Sequence, residues 1–371
     1  MSIKPMSAKE LTQRILNDHS LFVLDVRNEK AFQDWKIEGM HFEYLNMPYF
    51  DLIDGIDHII DQIPENQDIL VVCAKQGSSE MVAQHLVDAG LEHVFFLEGG
   101  MTYWGEYLHP VKIADLNEKG TIYQFVRMGK GCLSYMIESN GEAIVIDPSR
   151  MITQYLDFAE DIQVQIRYVI DTHLHADHIS GGRLLRDETG ARYYLPPQDA
   201  EEVQFTFEPL VEGVDIPLVE ALYSPGLTIG STSIIVDQQY LLTGDILFIA
   251  SVGRPDLAGK ANEWSHDLYD SLYQKYKQLP FDLIVLPAHF GKVAELGQDG
   301  SVQATLDELY KTNPGLKFSD KQRFHQTVAE NLPPQPHAYQ DIRHTNMGIQ
   351  KPNEAEQREM EMGPNRCAVQ D

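Results

Sequence analysis

Cysteine is scarce in this chain: 371 residues contain three thiols, Cys73, Cys132 and Cys367. An odd, sparse set cannot build a disulfide framework and suits a reducing compartment, so any cysteine that matters is expected to act as a thiol. Basic residues are outnumbered, 29 Lys and Arg against 56 Asp and Glu, which leaves a formal charge of −27. Such a chain repels phosphate, which argues against nucleic acid and anionic membrane surfaces as partners. No apolar run reaches the ~20 residues of a membrane span. The start, MSIKPMSAKELTQRILND, lacks the apolar core and small-residue cleavage site of a secretory signal. The expected location is cytoplasmic. There is no internal repeat, and 26 Gly with 19 Pro is ordinary globular usage, so collagen-like and low-complexity readings fall away.

At ~100–200 residues per domain the length points to two domains. Ser7-Ala-Lys-Glu10 has the capping-box pattern ahead of the helical run Leu11 to Leu16. Apolar runs at Leu21 to Val26, Ile69 to Val72 and Val94 to Leu97 alternate with helical stretches such as Glu80 to Ala89. This alternation predicts a parallel α/β domain over residues 1–112, followed by a linker at 113–118. Beyond it, Leu133 to Ile137 and Ala143 to Ile146 flank Asn140-Gly141, the strongest short hairpin signal. Further strands are expected at Arg167 to Ile170, Ser233 to Val236, Tyr240 to Leu242 and Leu283 to Leu286, and helices near Asn262 to Lys277 and Val302 to Lys311. The second domain is placed at 119–336. Residues 337–371, with weak periodicity and many Pro, Gln, Glu and Asn, read as a partly ordered tail.

Two places carry chemistry. Cys73 closes a buried strand and opens onto a helix N-terminus, where backbone N–H groups and the positive helix end stabilise a thiolate. Those donors also hold the anionic end of a sulfur donor, against the bland alternative of a buried strand-end thiol. The second place is Thr172-His173-Leu174-His175-Ala176-Asp177-His178, four potential metal ligands in six residues directly after a predicted strand. Neutral imidazoles with a carboxylate suit Fe(II), Zn(II) or Mn(II). Asp245 and His289 cap two further apolar strands and are expected to complete the centre. Cys132, at a strand start, reads as a buried structural thiol. Cys367 reads either as an exposed redox-active thiol or as a tail cysteine without a role. Tyr269, Tyr273 and Tyr276, at helical spacing, read as packing residues.

LDVRNEKAFQDWKIEGM at Leu24 to Met40, VVCAKQGSS at Val71 to Ser79 and LEGGMTYW at Leu97 to Trp104 resemble, in order, the three signatures of a rhodanese domain. The resemblance implies that Cys73 accepts sulfur and that Ala74, Lys75, Gln76, Gly77, Ser78 and Ser79 cradle the persulfide. Gln76 and Ser78 stand where that loop carries Gly and often Arg, which weakens thiosulfate as the donor. THLHADHISGG, LLTGD and Gly253-Arg254-Pro255-Asp256 resemble the metallo-β-lactamase superfamily, an αββα sandwich, and within it the persulfide dioxygenases. That resemblance implies one mononuclear metal, Fe(II), held by His173, by a histidine of a Ser-Pro-Gly-His segment and by Asp245. Here the segment reads Ser224-Pro225-Gly226-Leu227, and leucine cannot bind a metal.

Two ligand sets therefore stay open: His173, His175 and Asp245 for iron, or Asp177, His178, Asp245 and His289 at a neighbouring position better suited to Zn or Mn. Arg254 and Asp256 either orient a substrate or ligand or form a turn ion pair. The resemblances together imply a bifunctional enzyme of sulfide detoxification. One module is a sulfurtransferase. The other turns a low-molecular-weight thiol persulfide plus O2 into thiol plus sulfite, with sulfite or thiosulfate exchanged with Cys73. The alternatives are a metal-dependent thioester hydrolase of the glyoxalase II type, and a sulfurtransferase whose second domain only binds persulfide because of Leu227. The carrier thiol and homo-oligomer formation stay open.

Overall fold

The computed structural model describes residues 2–117, 119–256, 261–329, 338–365 and 367. They divide into two compact units, the first built on Met1–His109 and the second on Pro110–Val126, Gly131–Gly297 and the residues from Ser301 onward.

The apolar runs of the first unit have no polar face, so they require a sheet covered on both sides. Leu21–Asp25, Ile69–Val72 and Val94–Leu97 are buried along their whole length. The sheet order is Lys4–Met6, Val94–Leu97, Ile69–Val72, Leu21–Asp25, Phe42–Asn46, and every neighbouring pair is parallel. Helix Ala8–Leu16 starts where the capping signature places it, with the Ser7 hydroxyl accepting from the Glu10 N–H at 3.1 Å. Helix Gly77–Asp88 begins three residues before the predicted Glu80 and packs Val82, Ala83 and Leu86 into the core beside Val71 and Phe96. Its early start leaves only Cys73 to Gln76 between the central strand and the helix.

In the second unit, Asn140 and Gly141 both take positive φ, 54° and 80°, and join Cys132–Ser139 to Glu142–Ile146 with Ser139 opposite Glu142. Such a two-residue turn matches the natural twist of the strands it connects. Among the described residues this unit contains two sheets. The seven-stranded one runs Glu208–Pro209, Arg192–Leu195, Gln165–Ile170, Glu142–Ile146, Cys132–Ser139, Thr121–Arg127, His109–Asp115. The five-stranded one runs Val219–Tyr223, Thr232–Val236, Tyr240–Gly244, Ile284–Pro287, Ala304–Thr305. Leu241, Val285, Leu268, Leu272 and Phe324 form one buried cluster between the smaller sheet and the helices Ala261–Asp270 and Lys321–Ala329. The sheets meet through a short backbone bridge: Leu133 N–H donates to Ala288 O at 2.7 Å and Phe290 N–H to Gly131 O at 3.0 Å, which sets Cys132 opposite His289.

Four elements differ from the sequence reading. The supposed linker is strand as far as Asp115, and Glu118 lies outside the described residues. The long helix expected to Lys277 is α-helical only to Asp270 and then changes pitch, where Ser271 Oγ donates to Pro225 O and the Tyr276 hydroxyl bonds Ser233. The helix expected from Val302 begins at Leu306, capped by Thr305. The supposed tail carries helices Tyr339–Asn346 and Glu354–Met360, because Ile342 is buried beside Ile179. Residues 330–337, 366 and 368–371, parts of the predicted second domain and tail, lie outside the described residues. No helix among the described residues is long and apolar enough to cross a membrane.

Gly141→Ala forces a Cβ into the left-handed region and is expected to destabilise the second unit by about 1–2 kcal/mol. Urea unfolding should show a lower midpoint at unchanged slope.

Candidate thiol loop and metal centre

Brief loops at strand ends carry both candidate sites. In the first unit Cys73 is buried and its Sγ donates to Ser79 Oγ at 3.3 Å, while that hydroxyl donates to Gln76 O at 2.8 Å. The loop is held from outside by the Gly99-Gly100 segment. Met101 and Thr102 N–H donate to the carbonyls of Cys73 and Ala74, each at 3.0 Å, and Gly99 N–H donates to Gln76 Oε1 at 3.0 Å. Gly100 has φ +59°, and a Cβ there would lie 2.5 Å from the carbonyl oxygens of Cys73 and Lys75. The loop thus depends on a glycine that the thiol motif itself does not contain. Lys75 is exposed. Asp25 and Arg27 form a buried ion pair at 2.6 Å whose guanidinium also donates to Trp35 O, so it braces its own strand end.

In the second unit the histidine loop follows Gln165–Ile170, and Asp245 and His289 directly follow Tyr240–Gly244 and shortly follow Ile284–Pro287. The register of the last two strands is locked by Ala288 N–H donating to Gly244 O at 3.0 Å. Gly244 has φ +52°, and a Cβ there would meet Thr172 Oγ1 at 2.8 Å. Close approach of these loops brings the predicted ligands together. All six, His173, His175, Asp177, His178, Asp245 and His289, are buried.

Asp177 is the hub. Its carboxylate lies 3.1 Å from His178 Nδ1, 2.9 Å from His289 Nε2, 3.5 Å from Cys132 Sγ and 2.7 Å from Asn365 Nδ2. His289 Nδ1 faces Asp245 Oδ1 at 2.6 Å. On the other side, His173 Nε2 stands 3.6 Å from Asp245 Oδ2, and His173 Nδ1 meets Thr172 Oγ1 at 3.0 Å. His175 Nε2 meets Asp147 Oδ1 at 3.0 Å, leaving Nδ1 without a hydrogen-bond partner. Metal-bound histidines show this pattern, one ring nitrogen fixed by a carboxylate and the other free.

Potential ligand atoms within 4.8 Å of one another fall into three groups among the described residues: Cys132, Asp177, His178 and His289; Asp245, His289 and Cys367; and Asp147, Asp171 and His175. His173 belongs to none of them. The predicted trio of His173, His175 and Asp245 is therefore not one compact cluster, whereas Asp177, His178 and His289 are. Cys132, read from sequence as a structural thiol, and Cys367, read as an exposed redox-active thiol or a tail cysteine, are both buried among these ligand-type atoms. Nothing local in the sequence marks them: Cys132 arrives through the strand bridge to His289, and Cys367 through a returning segment.

Electrostatics set the ionisation of this cluster. Burial and neighbouring imidazoles lower His173 and His175 to about 4. Burial would also lower His289, but Asp245 and Asp177 outweigh it and raise it. Burial pushes the Cys132 thiol up, yet the charges around it, His289 foremost, bring it down to about 7. Burial, then Asp177 and Asp245, raise the Cys367 thiol.

The donor set decides which metal arrangement these residues fit. Leu227 is 1% exposed within the apolar cluster of Ala176, Ile246, Leu247 and Val252, so the two-histidine, one-carboxylate iron set lacks its second histidine. Both Asp245 oxygens, His289 Nδ1 and His178 Nε2 are buried without a hydrogen-bond partner. Buried polar atoms of this kind need a partner, and a divalent cation supplies one. The side chains of Arg254 and Asp256 pair with each other at 2.7 and 2.8 Å. Tyr269 and Tyr273 stack at 4.5 Å, as packing residues do.

Residues 7–107 match the Rhodanese-like domain, and residues 127–289 match the Metallo-beta-lactamase superfamily. The chain carries both domains. It is 29% identical over 225 residues to the Bos taurus protein named "Persulfide dioxygenase ETHE1, mitochondrial", which covers 57% of this chain and 81% of that one. It is 30% identical over 161 residues to the "Hydroxyacylglutathione hydrolase" of Methylobacillus flagellatus, covering 42% and 60%. The crystal structure of ETHE1 from Myxococcus xanthus shares the fold of the second unit, with a TM-score of 0.54 and 24% identity over 62% of this chain and 98% of that one.

Gly244→Ala is expected to push the Thr172 and Asp245 loops apart and weaken metal binding at least tenfold, read by competition with a chromophoric chelator. Gly100→Ala should leave metal binding unchanged and slow alkylation or persulfidation of Cys73.

Proposed function

We propose that this chain is a sulfur-metabolism enzyme, a sulfurtransferase joined to a metal centre that acts on a low-molecular-weight thiol persulfide. The observation that carries the reading is the Cys73 loop, a buried thiol at a helix N-terminus whose Cys73 and Ala74 carbonyls accept from the Met101 and Thr102 N–H groups. With its carbonyls engaged, the loop is left to offer N–H donors to sulfur.

That geometry supports the following sulfurtransfer step. The Cys73 thiolate attacks the outer sulfur of a persulfide R–S–SH or of thiosulfate. The donor S–S bond breaks, R–S⁻ or sulfite leaves with the electron pair, and Cys73 is left as a persulfide. A second thiolate or sulfite then takes the terminal sulfur and restores the thiol. Ser79, 3.3 Å from Sγ, is placed to hold the proton and orient the sulfur.

For the second unit, the relatives named persulfide dioxygenase support persulfide with O2 as the substrates, and thiol with sulfite as the products. Fe(II) in such a centre supplies oxygen activation. Because the ligand set of that family is incomplete at Leu227, this chain's contribution is argued only to the point of cation binding around Asp177, His178, Asp245 and His289. A hydrolase reading is favoured by one specific observation, that these four residues are the ones gathered about Asp177 and His289.

Cys73→Ser is expected to abolish thiosulfate- or persulfide-dependent sulfurtransfer while leaving metal content unchanged. Oxygen-electrode traces on the iron-loaded chain with glutathione persulfide should show uptake that survives Cys73→Ser. Absence of uptake alongside rapid hydrolysis of a glutathione thioester would overturn the dioxygenase reading in favour of the hydrolase.

A further inference from the structure

A short segment near the end of the described chain lies on the metal loops, and its attachments are specific. The buried Glu361 carboxylate accepts from the Ile179 N–H at 2.7 Å, directly after His178, and pairs with Arg150 at 2.8 Å. Asn365 Nδ2 donates to Asp177 Oδ2 at 2.7 Å, and Asn365 Oδ1 accepts from the Cys367 N–H at 2.7 Å. The Arg254 N–H, in the segment that follows Asp245, donates to Cys367 O at 3.2 Å. Five contacts therefore fix the backbone that carries the Cys367 side chain. It is 4% exposed, and it forms one group with Asp245 and His289 in which all ligand-type atoms lie within 4.8 Å.

We propose that Cys367 is a metal ligand, and that Asp245, His289 and Cys367 form a mixed carboxylate, imidazole and thiolate site for a thiophilic divalent cation of the zinc class. The proposal rests on the reading of the second unit as a metal centre and deepens it. Independent support comes from the two groups facing the thiol: Asp245 Oδ1 and His289 Nδ1 are buried 2.6 Å apart without hydrogen-bond geometry, and Asp245 Oδ2 is buried without a hydrogen-bond partner. His289 has the orientation a ligand needs, with Nε2 held by Asp177 at 2.9 Å and Nδ1 turned toward Asp245. A thiolate on this site shifts preference toward zinc and other soft ions. It also supplies a third protein donor beside Asp245 and His289.

The test uses the full chain, stripped with a chelator and reloaded with Co(II). A thiolate-to-cobalt charge-transfer band in the near ultraviolet is expected in the unmodified protein and in Cys73→Ser. Cys367→Ser should lose the band and bind Zn(II) at least ~10-fold more weakly, and Cys367→His should recover affinity without the band. Zn(II) should also protect Cys367 from iodoacetamide, read by peptide mass spectrometry on unmutated protein, so a misfolded variant does not decide the matter. Co(II) binding without the band, or a band that survives Cys367→Ser and vanishes in Cys132→Ser, overturns the proposal. So does labelling of Cys367 that zinc does not slow. Loss of oxygen uptake with the band intact sinks the dioxygenase reading and leaves this one standing.

Discussion

The second unit depends on keeping several charged groups together out of water. Asp147, Asp171, Asp177, Asp245 and four imidazoles are all buried within a few strand ends of one another. Isolated, each ionised carboxylate would be costly to bury. They coexist because each is engaged: Asp147 by Thr172 and His175, Asp171 by Ser180 and Tyr193, Asp177 by His178, His289 and Asn365. Asp245 stands apart, since both its oxygens face imidazole without hydrogen-bond geometry. A polar network left short around Asp245, and again at Asp171 Oδ1, His175 Nδ1 and His178 Nε2, fits an ion better than it fits packing.

The two units solve related problems differently. Around Cys73 the chain uses a short loop between a strand and a helix, with the thiol set against Ser79 of the helix's first turn. Around Asp177 it uses side chains from three strand ends, a strand bridge and a returning segment. The first device is local in sequence, and the second is assembled from positions 132 to 367.

That contrast explains what was legible in the sequence. Ser7, Asn140-Gly141 and the apolar runs encode structure through neighbours a few residues away, and each appears where the pattern places it. The His-Leu-His-Ala-Asp-His loop is equally local. Cys132 and Cys367 were not legible as members of the centre, because one depends on a register between two sheets and the other on where helix Glu354–Met360 directs the chain. The shift of emphasis from His173 toward His289 has the same cause. Both residues are visible as potential ligands, but only tertiary packing decides which ring atoms face Asp177 and Asp245.

Asp147 holds a left-handed backbone conformation, φ 52°, that a non-glycine residue adopts at some energetic cost. It receives the Thr172 N–H at 2.7 Å, the Thr172 hydroxyl at 2.9 Å and His175 Nε2 at 3.0 Å. Strain at one aspartate is thus set against immobilisation of the loop that follows Asp171. The imidazole rotamers are fixed during folding itself, so the entropy of ordering them is already lost before a cation arrives, and loading resembles entry into a rigid cage more than the wrapping of a flexible chelator.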